Sequence, residues 1–172
     1  MITPEPERVR IHSVDRSFPQ GYVGESYAFS SADALATLEK STLIMDLWLS
    51  AESEHEWSDQ AYWESVLPAW FVDYFPPPLS AEDDRVWTAQ WRAADGPGKL
   101  RLQESRGLAF PNWLASMSVE RRPWRWWASE VMTPTTGKVD VLVDGWPSTL
   151  TGLEWLLKAC GAHKAPTISG EM

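Results

Sequence analysis

Hydrophobic positions recur along the chain with two different spacings, and the sharpest pattern lies near its end. In the stretch PWRWWASEVM, Trp124, Trp126 and Ala128 fall on one side, and Arg125, Trp127 and Ser129 on the other. Val139, Val141 and Val143 then share a face. Period-two alternation of aromatic and β-branched residues predicts two half-buried strands. Thr133 to Lys138, with Pro134 and Gly137, has the turn chemistry that joins them as a hairpin. Behind the hairpin, Leu150, Leu153, Leu156, Leu157 and Cys160 keep close to helical spacing, with Ser148 as a start signal and Gly161 as a stop.

The same reading, applied from the amino end, gives a weaker series of elements. Arg8 to Val14 alternates and predicts a strand with His12 on its polar face; Gln20 to Phe29 predicts a second. Ser31 caps a short helix through Lys40, with Ala34, Leu35 and Leu38 inward. Thr42 to Leu49 is a nearly continuous apolar run of strand length and predicts a central strand, with Asp46 facing outward near its end. Ala51 to Trp57 reads as a polar loop.

From Ser58 the spacing of Trp63, Val66, Leu67, Trp70, Phe71 and Tyr74 predicts an amphipathic helix, kinked or broken at Pro68 and stopped by Pro76, Pro77 and Pro78. Trp57, just before a Ser58 cap, either staples this helix to the core or projects outward, and the staple is the expectation. Ser80 and Asp83 form a capping box for a helix to about Ala94, with Val86, Trp87 and Trp91 inward. Asp95 to Gly98 is a turn, Lys99 to Glu104 a strand, and Asn112 a cap for Trp113, Leu114 and Met117. The expected fold is α+β. It is a single domain over 1–172, a mostly antiparallel sheet with three to four packed helices and irregular tails at 1–7 and 164–172.

Charge narrows the function classes. The 172 residues carry a formal net charge of −9, which argues against direct nucleic-acid binding, since that needs a basic surface to displace counterions. The single cysteine excludes an internal disulfide. The amino terminus does not read as a signal peptide, and no apolar run approaches the length of a membrane span, so the expected address is the cytoplasm.

The charge is also lopsided. Ser41 to Asp84 holds ten carboxylates and no Lys or Arg, whereas Arg85 to Arg125 holds eight basic residues against three acidic ones. Either the two segments pair across the fold or are simply solvated faces, or the first forms a cation-seeking surface. On the second reading Glu52, Glu54, Glu56, Asp59 and Glu64 steer a basic partner, and nearby aromatics anchor it. A secondary surface is Arg121, Arg122, Arg125 and Trp127, where the strand pattern leaves a tryptophan facing out.

The chemical motifs are few. Glu52, Glu54, His55 and Glu56 contain metal-ligand types, but no second cluster completes a site. Cys160 and His163 lie three apart with the helix stop between them. There is no G-x-S-x-G, Walker loop, G-x-G-x-x-G or H-E-x-x-H. No catalytic residue, metal or cofactor is therefore expected, and most of the twelve tryptophans are assigned to the core.

A small, acidic, Trp-rich α+β chain of this kind resembles the immunity proteins that neutralise bacterial polymorphic and contact-dependent toxins. The stretch closest to them is VDVLVDGWPSTLTGLEWLLKACG, Val139 to Gly161. The resemblance implies a dedicated basic protein partner, held by an acidic face, and no inherited catalytic residues. A phage-encoded inhibitor of a bacterial defence enzyme has the same profile. A Trp-lined ligand-binding or enzymatic domain is the alternative of a different class.

Overall fold

The hairpin forms where the alternation places it. The computed structural model describes residues 4–145, 149–163 and 167–169; the Ser148 start signal lies outside them. The elements are α1 (Pro4–Arg10), β1 (Val23–Ser30), α2 (Ala34–Ala51), α3 (Gln60–Val66), α4 (Ala69–Val72), α5 (Ala81–Ala93), α6 (Gly96–Arg106), α7 (Phe110–Met117), β2 (Trp124–Thr133), β3 (Thr136–Val143), α8 (Thr151–Ala159) and β4 (Thr167–Ser169). The strands make one sheet in the order β2-β3-β1-β4, with every pairing antiparallel. The class is α+β as expected. The described residues hold eight helices rather than three or four, and parts of both expected tails are ordered elements, Pro4–Arg10 and Thr167–Ser169.

One face of the sheet carries the core. Tyr27 and Phe29 of β1 stand beside Val139 and Gly137 of β3, and Trp124 and Trp126 of β2 beside Val143 and Val141. Gly137 is required where it stands: a Cβ there would come within 2.5 Å of the Phe29 ring. A bulge at Trp127 then shifts the register, so Ala128 pairs with Asp140 and leaves the face of Trp124 and Trp126, contrary to the simple alternation.

Three expected strands are helices. Thr42 to Leu49 belongs to α2, whose buried positions Ala34, Thr37, Leu38, Ser41, Ile44, Met45 and Trp48 step at helical spacing. Two of them are polar, but each satisfies its hydroxyl inside the helix, Thr37 on the Asp33 carbonyl at 2.9 Å and Ser41 on the Thr37 carbonyl at 2.7 Å. The cap is Asp33, which accepts from the Ala36 amide, rather than Ser31, and Leu35 is exposed. Asp46 does face outward, from a helix, and pairs with Arg8 at 2.9 Å.

Arg8 to Arg10 lies in α1, because Pro4 and Pro6 fall in its first turn, where amide hydrogens have no intrahelical acceptor. Lys99 to Glu104 lies in α6, capped by Asp95 on the Gly98 amide. The next cap also differs: α7 starts after Ala109, and its Trp113, Leu114 and Met117 are buried as expected.

Pro68 breaks the helix begun near Ser58 into α3 and α4, with Leu67 extended before it at ψ 146°. Its cap is Asp59, on the Tyr62 amide at 3.2 Å. Of the face expected inward, Trp63, Leu67 and Phe71 are buried, while Trp70 and Tyr74 are exposed. Trp63 stacks on Trp48 at 4.2 Å, and Trp113 meets Trp48, Phe71, Phe75 and Phe110 at 4.9–6.1 Å. By contrast, α5 and α6 bury no residue at all. They are tied chiefly to each other, with Arg106 over Trp87 at 4.4 Å and paired with Asp84 at 3.2 Å, and Lys99 over Trp91 at 5.6 Å.

Cys160 ends α8 before Gly161, whose φ of 121° favours glycine. Burial pushes the Cys160 thiol up to about 12. The folded protein is therefore expected to resist iodoacetamide at about pH 8, where a free thiol near 8.5 reacts readily. Alkylation of the folded chain at a free-thiol rate would contradict this burial.

Candidate functional site

The carboxyl end of α2 carries the loop 52–57 away from the core and turns it across the residues that follow α7. Between this loop and Ser118–Glu120 lies a cleft of about 410 Å³. Glu54, Glu56 and Glu120 line it and are exposed, and Trp48 and Trp57 contribute aromatic surface. Trp57 is half-buried and packs against the core, and the Arg121 guanidinium lies 5.2 Å from its ring centre. His55 stacks on Tyr62 at 3.5 Å and braces the loop against α3. The Trp63 indole donates to the Glu56 carbonyl at 3.0 Å and holds the loop from below.

Asp59 and Glu64 continue the acidic surface from the loop along α3, and both are exposed. One Asp59 oxygen caps the helix, and Glu64 accepts from Gln60 at 2.6 Å. Glu54, Glu56, Asp59 and Glu64 have no ion-pair partner among the described residues. Of the ten carboxylates between Ser41 and Asp84, three form ion pairs among the described residues: Asp46 with Arg8, Glu52 with Arg122 and Asp84 with Arg106. The other seven are exposed, so pairing across the fold does not consume the acidic charge.

Glu52 has a different role from its neighbours. Its side chain is 3% exposed, accepts from the Trp48 indole at 2.8 Å and pairs with Arg122 at 3.2 Å. Arg122 also donates to Glu7 at 2.7 Å, and Glu7 accepts from the Trp126 amide at 2.7 Å. Arg125 lies 3.9 Å from Glu7 and donates to the carbonyls of Arg122 and Trp124. Two carboxylates and two guanidiniums thus balance inside the protein. Burial pushes the Glu7 carboxyl up, against the pull of Arg122, and burial with Arg122 nearby lowers the Arg125 guanidinium. Glu52 therefore leaves the set of steering acids.

The same geometry dissolves the secondary surface. Arg122 and Arg125 are 2% and 7% exposed, so only Arg121 of the three arginines reaches solvent. Trp127 is half-covered: Arg10 lies 3.8 Å from its ring centre, and its indole donates to the Ser17 carbonyl at 3.0 Å. Sequence alone missed Glu7 and the pairing of Glu52 with Arg122. No local signal marked them, since Glu7 sits between Pro6 and Arg8, and Arg122 between Arg121 and Pro123.

No three of His, Cys, Asp and Glu come together as a metal-holding group among the described residues. Nor is any described helix long and apolar enough to cross a membrane. No protein-family model matches the chain, and no curated protein or solved structure matches it either.

Proposed function

We propose that this chain is an acidic protein-binding inhibitor that neutralises a basic partner protein, such as a toxin or a defence enzyme, by occupying it rather than by chemistry. The observation that carries the reading is the unspent negative charge: Glu54, Glu56, Asp59 and Glu64 are exposed and without ion pairs among the described residues, and the first two line a cleft with aromatic walls. Exposed pairs contribute only about 0–1 kcal/mol each, so fold stability gives little reason to gather acids on one surface. Clustered like charge raises the encounter rate with an oppositely charged partner, and desolvated aromatics hold it after docking.

The test is a comparison of wild type with a variant carrying Glu54→Gln, Glu56→Gln, Asp59→Asn and Glu64→Gln. Wild type should retain a basic protein from its host lysate and suppress that protein's activity once it is purified. The variant should associate at least about tenfold more slowly at low ionic strength, with a flatter dependence on salt. Equal association rates and equal salt slopes for the two proteins would overturn the reading.

A further inference from the structure

Resting on the acidic-inhibitor reading, we infer that the cleft between the 52–57 loop and Ser118–Glu120 is the receptor for one arginine side chain of the partner. Three features select that chemistry. Glu54, Glu56 and Glu120 line the cleft from two separate segments, so a cation entering it meets carboxylates from both sides. Ser118 also lines it, and although Ser118 is 3% exposed, its hydroxyl has no hydrogen-bond partner among the described residues. A buried hydroxyl without a partner costs free energy, and a donor arriving from the cleft removes that cost. Finally, Trp57 lines the cleft and already bears the Arg121 guanidinium near its ring, which shows that this indole accepts a planar cation.

Arginine suits these walls better than lysine. Its guanidinium is planar, stacks on aromatic faces and presents five donors in a fixed fork, so it can reach carboxylates on both sides and a hydroxyl at once. An ammonium is a compact, strongly hydrated charge that loses more water on entering such a space. A volume of about 410 Å³ admits a side chain, not a folded segment. The wider acidic surface therefore steers the partner, and the cleft fixes where it stops.

The probe is the peptide acetyl-Gly-Arg-Gly-amide, titrated into the full chain and followed by amide ¹H–¹⁵N spectra. Controls carry lysine or citrulline in place of arginine. The arginine peptide should shift the amides of Glu54–Trp57 and Ser118–Glu120, with clearly weaker effects from lysine and none from citrulline. Glu56→Gln with Glu120→Gln should weaken binding about tenfold or more. Ser118→Ala should weaken it about threefold or more while leaving the melting temperature unchanged or higher, which separates a ligand contact from a structural one. Equal response to lysine, shifts centred on Asp59 and Glu64, or no response at all would overturn the cleft assignment. The acidic-face reading would survive any of these if the four-residue neutralised variant still lost its partner.

Discussion

Trp113→Ala is expected to lower stability by about 3–5 kcal/mol, the range for removing a large aromatic from a packed core. Trp113 is 0% exposed, contacts the rings of Trp48, Phe71, Phe75 and Phe110, and donates to the Gly152 carbonyl at 3.1 Å. It therefore joins α2, α4, α7 and α8 at one point, and its loss leaves a cavity that no single neighbour can fill. For a chain of this size the melting temperature should fall by roughly 6–20 °C. Trp113→Phe keeps most of the ring contact and forfeits the indole hydrogen bond, so about 1–2 kcal/mol is expected. Denaturant unfolding measures both. A loss below about 1 kcal/mol for Trp113→Ala would mean that the aromatic cluster is not the centre of the fold.

The second large effect belongs to Arg122. Replacing it with Met leaves Glu7 and Glu52 buried without their guanidinium, and breaking a buried pair from one side costs about 3–5 kcal/mol. Adding Glu7→Gln and Glu52→Gln to Arg122→Met should recover part of that loss, since the only charge then left buried is that of Arg125, which still donates to the carbonyls of residue 122 and Trp124. Full additivity of the three changes would contradict a coupled network.

The pH dependence supplies a further readout of the same network. The Glu7 carboxyl is raised by burial above its ordinary 4.5. A raised carboxyl binds its proton more tightly folded than unfolded, so its contribution is complete below the ordinary value and is lost as pH rises through the raised one. That decline should steepen in Arg122→Met, because the charge of Arg122 is the largest influence holding the carboxyl down. It should vanish in Glu7→Gln.

What could be read from the sequence depended on whether burial was local. The β2–β3 hairpin and α8 were legible because each shows its buried face within about ten residues and carries its own turn or cap. The core part of α2 was misread as a strand. Thr37 and Ser41 sit on its buried face, Leu35 and Leu43 on its exposed one, so apolar spacing does not report the helix. A short apolar run cannot distinguish a buried strand from a buried helix segment. In α6 there was no buried face to show, and Leu100 and Leu102 alternating with charge imitated a strand. The acidic loop was legible by charge alone. The inward turn of Glu52 was not, because its partner lies 70 residues away and charge type says nothing about which carboxylate meets it.

The contacts of the amino-terminal segment bear on how the protein is made. Glu7 and Arg10 of α1 satisfy the Trp126 amide and the Trp127 carbonyl along β2, an outer strand of the sheet. The links from Glu7, Arg10 and Arg16 span 115, 117 and 124 residues, and β1 pairs with β3 from Val23 opposite Val143. Translation delivers these partners in the wrong order for early folding. The first strand leaves the ribosome long before the strand it must pair with, and the helix that shields the sheet's edge is synthesised before that edge exists. Closing loops of this length comes late, and until then an unpaired strand is open to misassembly. A nascent chain halted short of Val143 is thus not a smaller version of this fold but a strand without its full sheet.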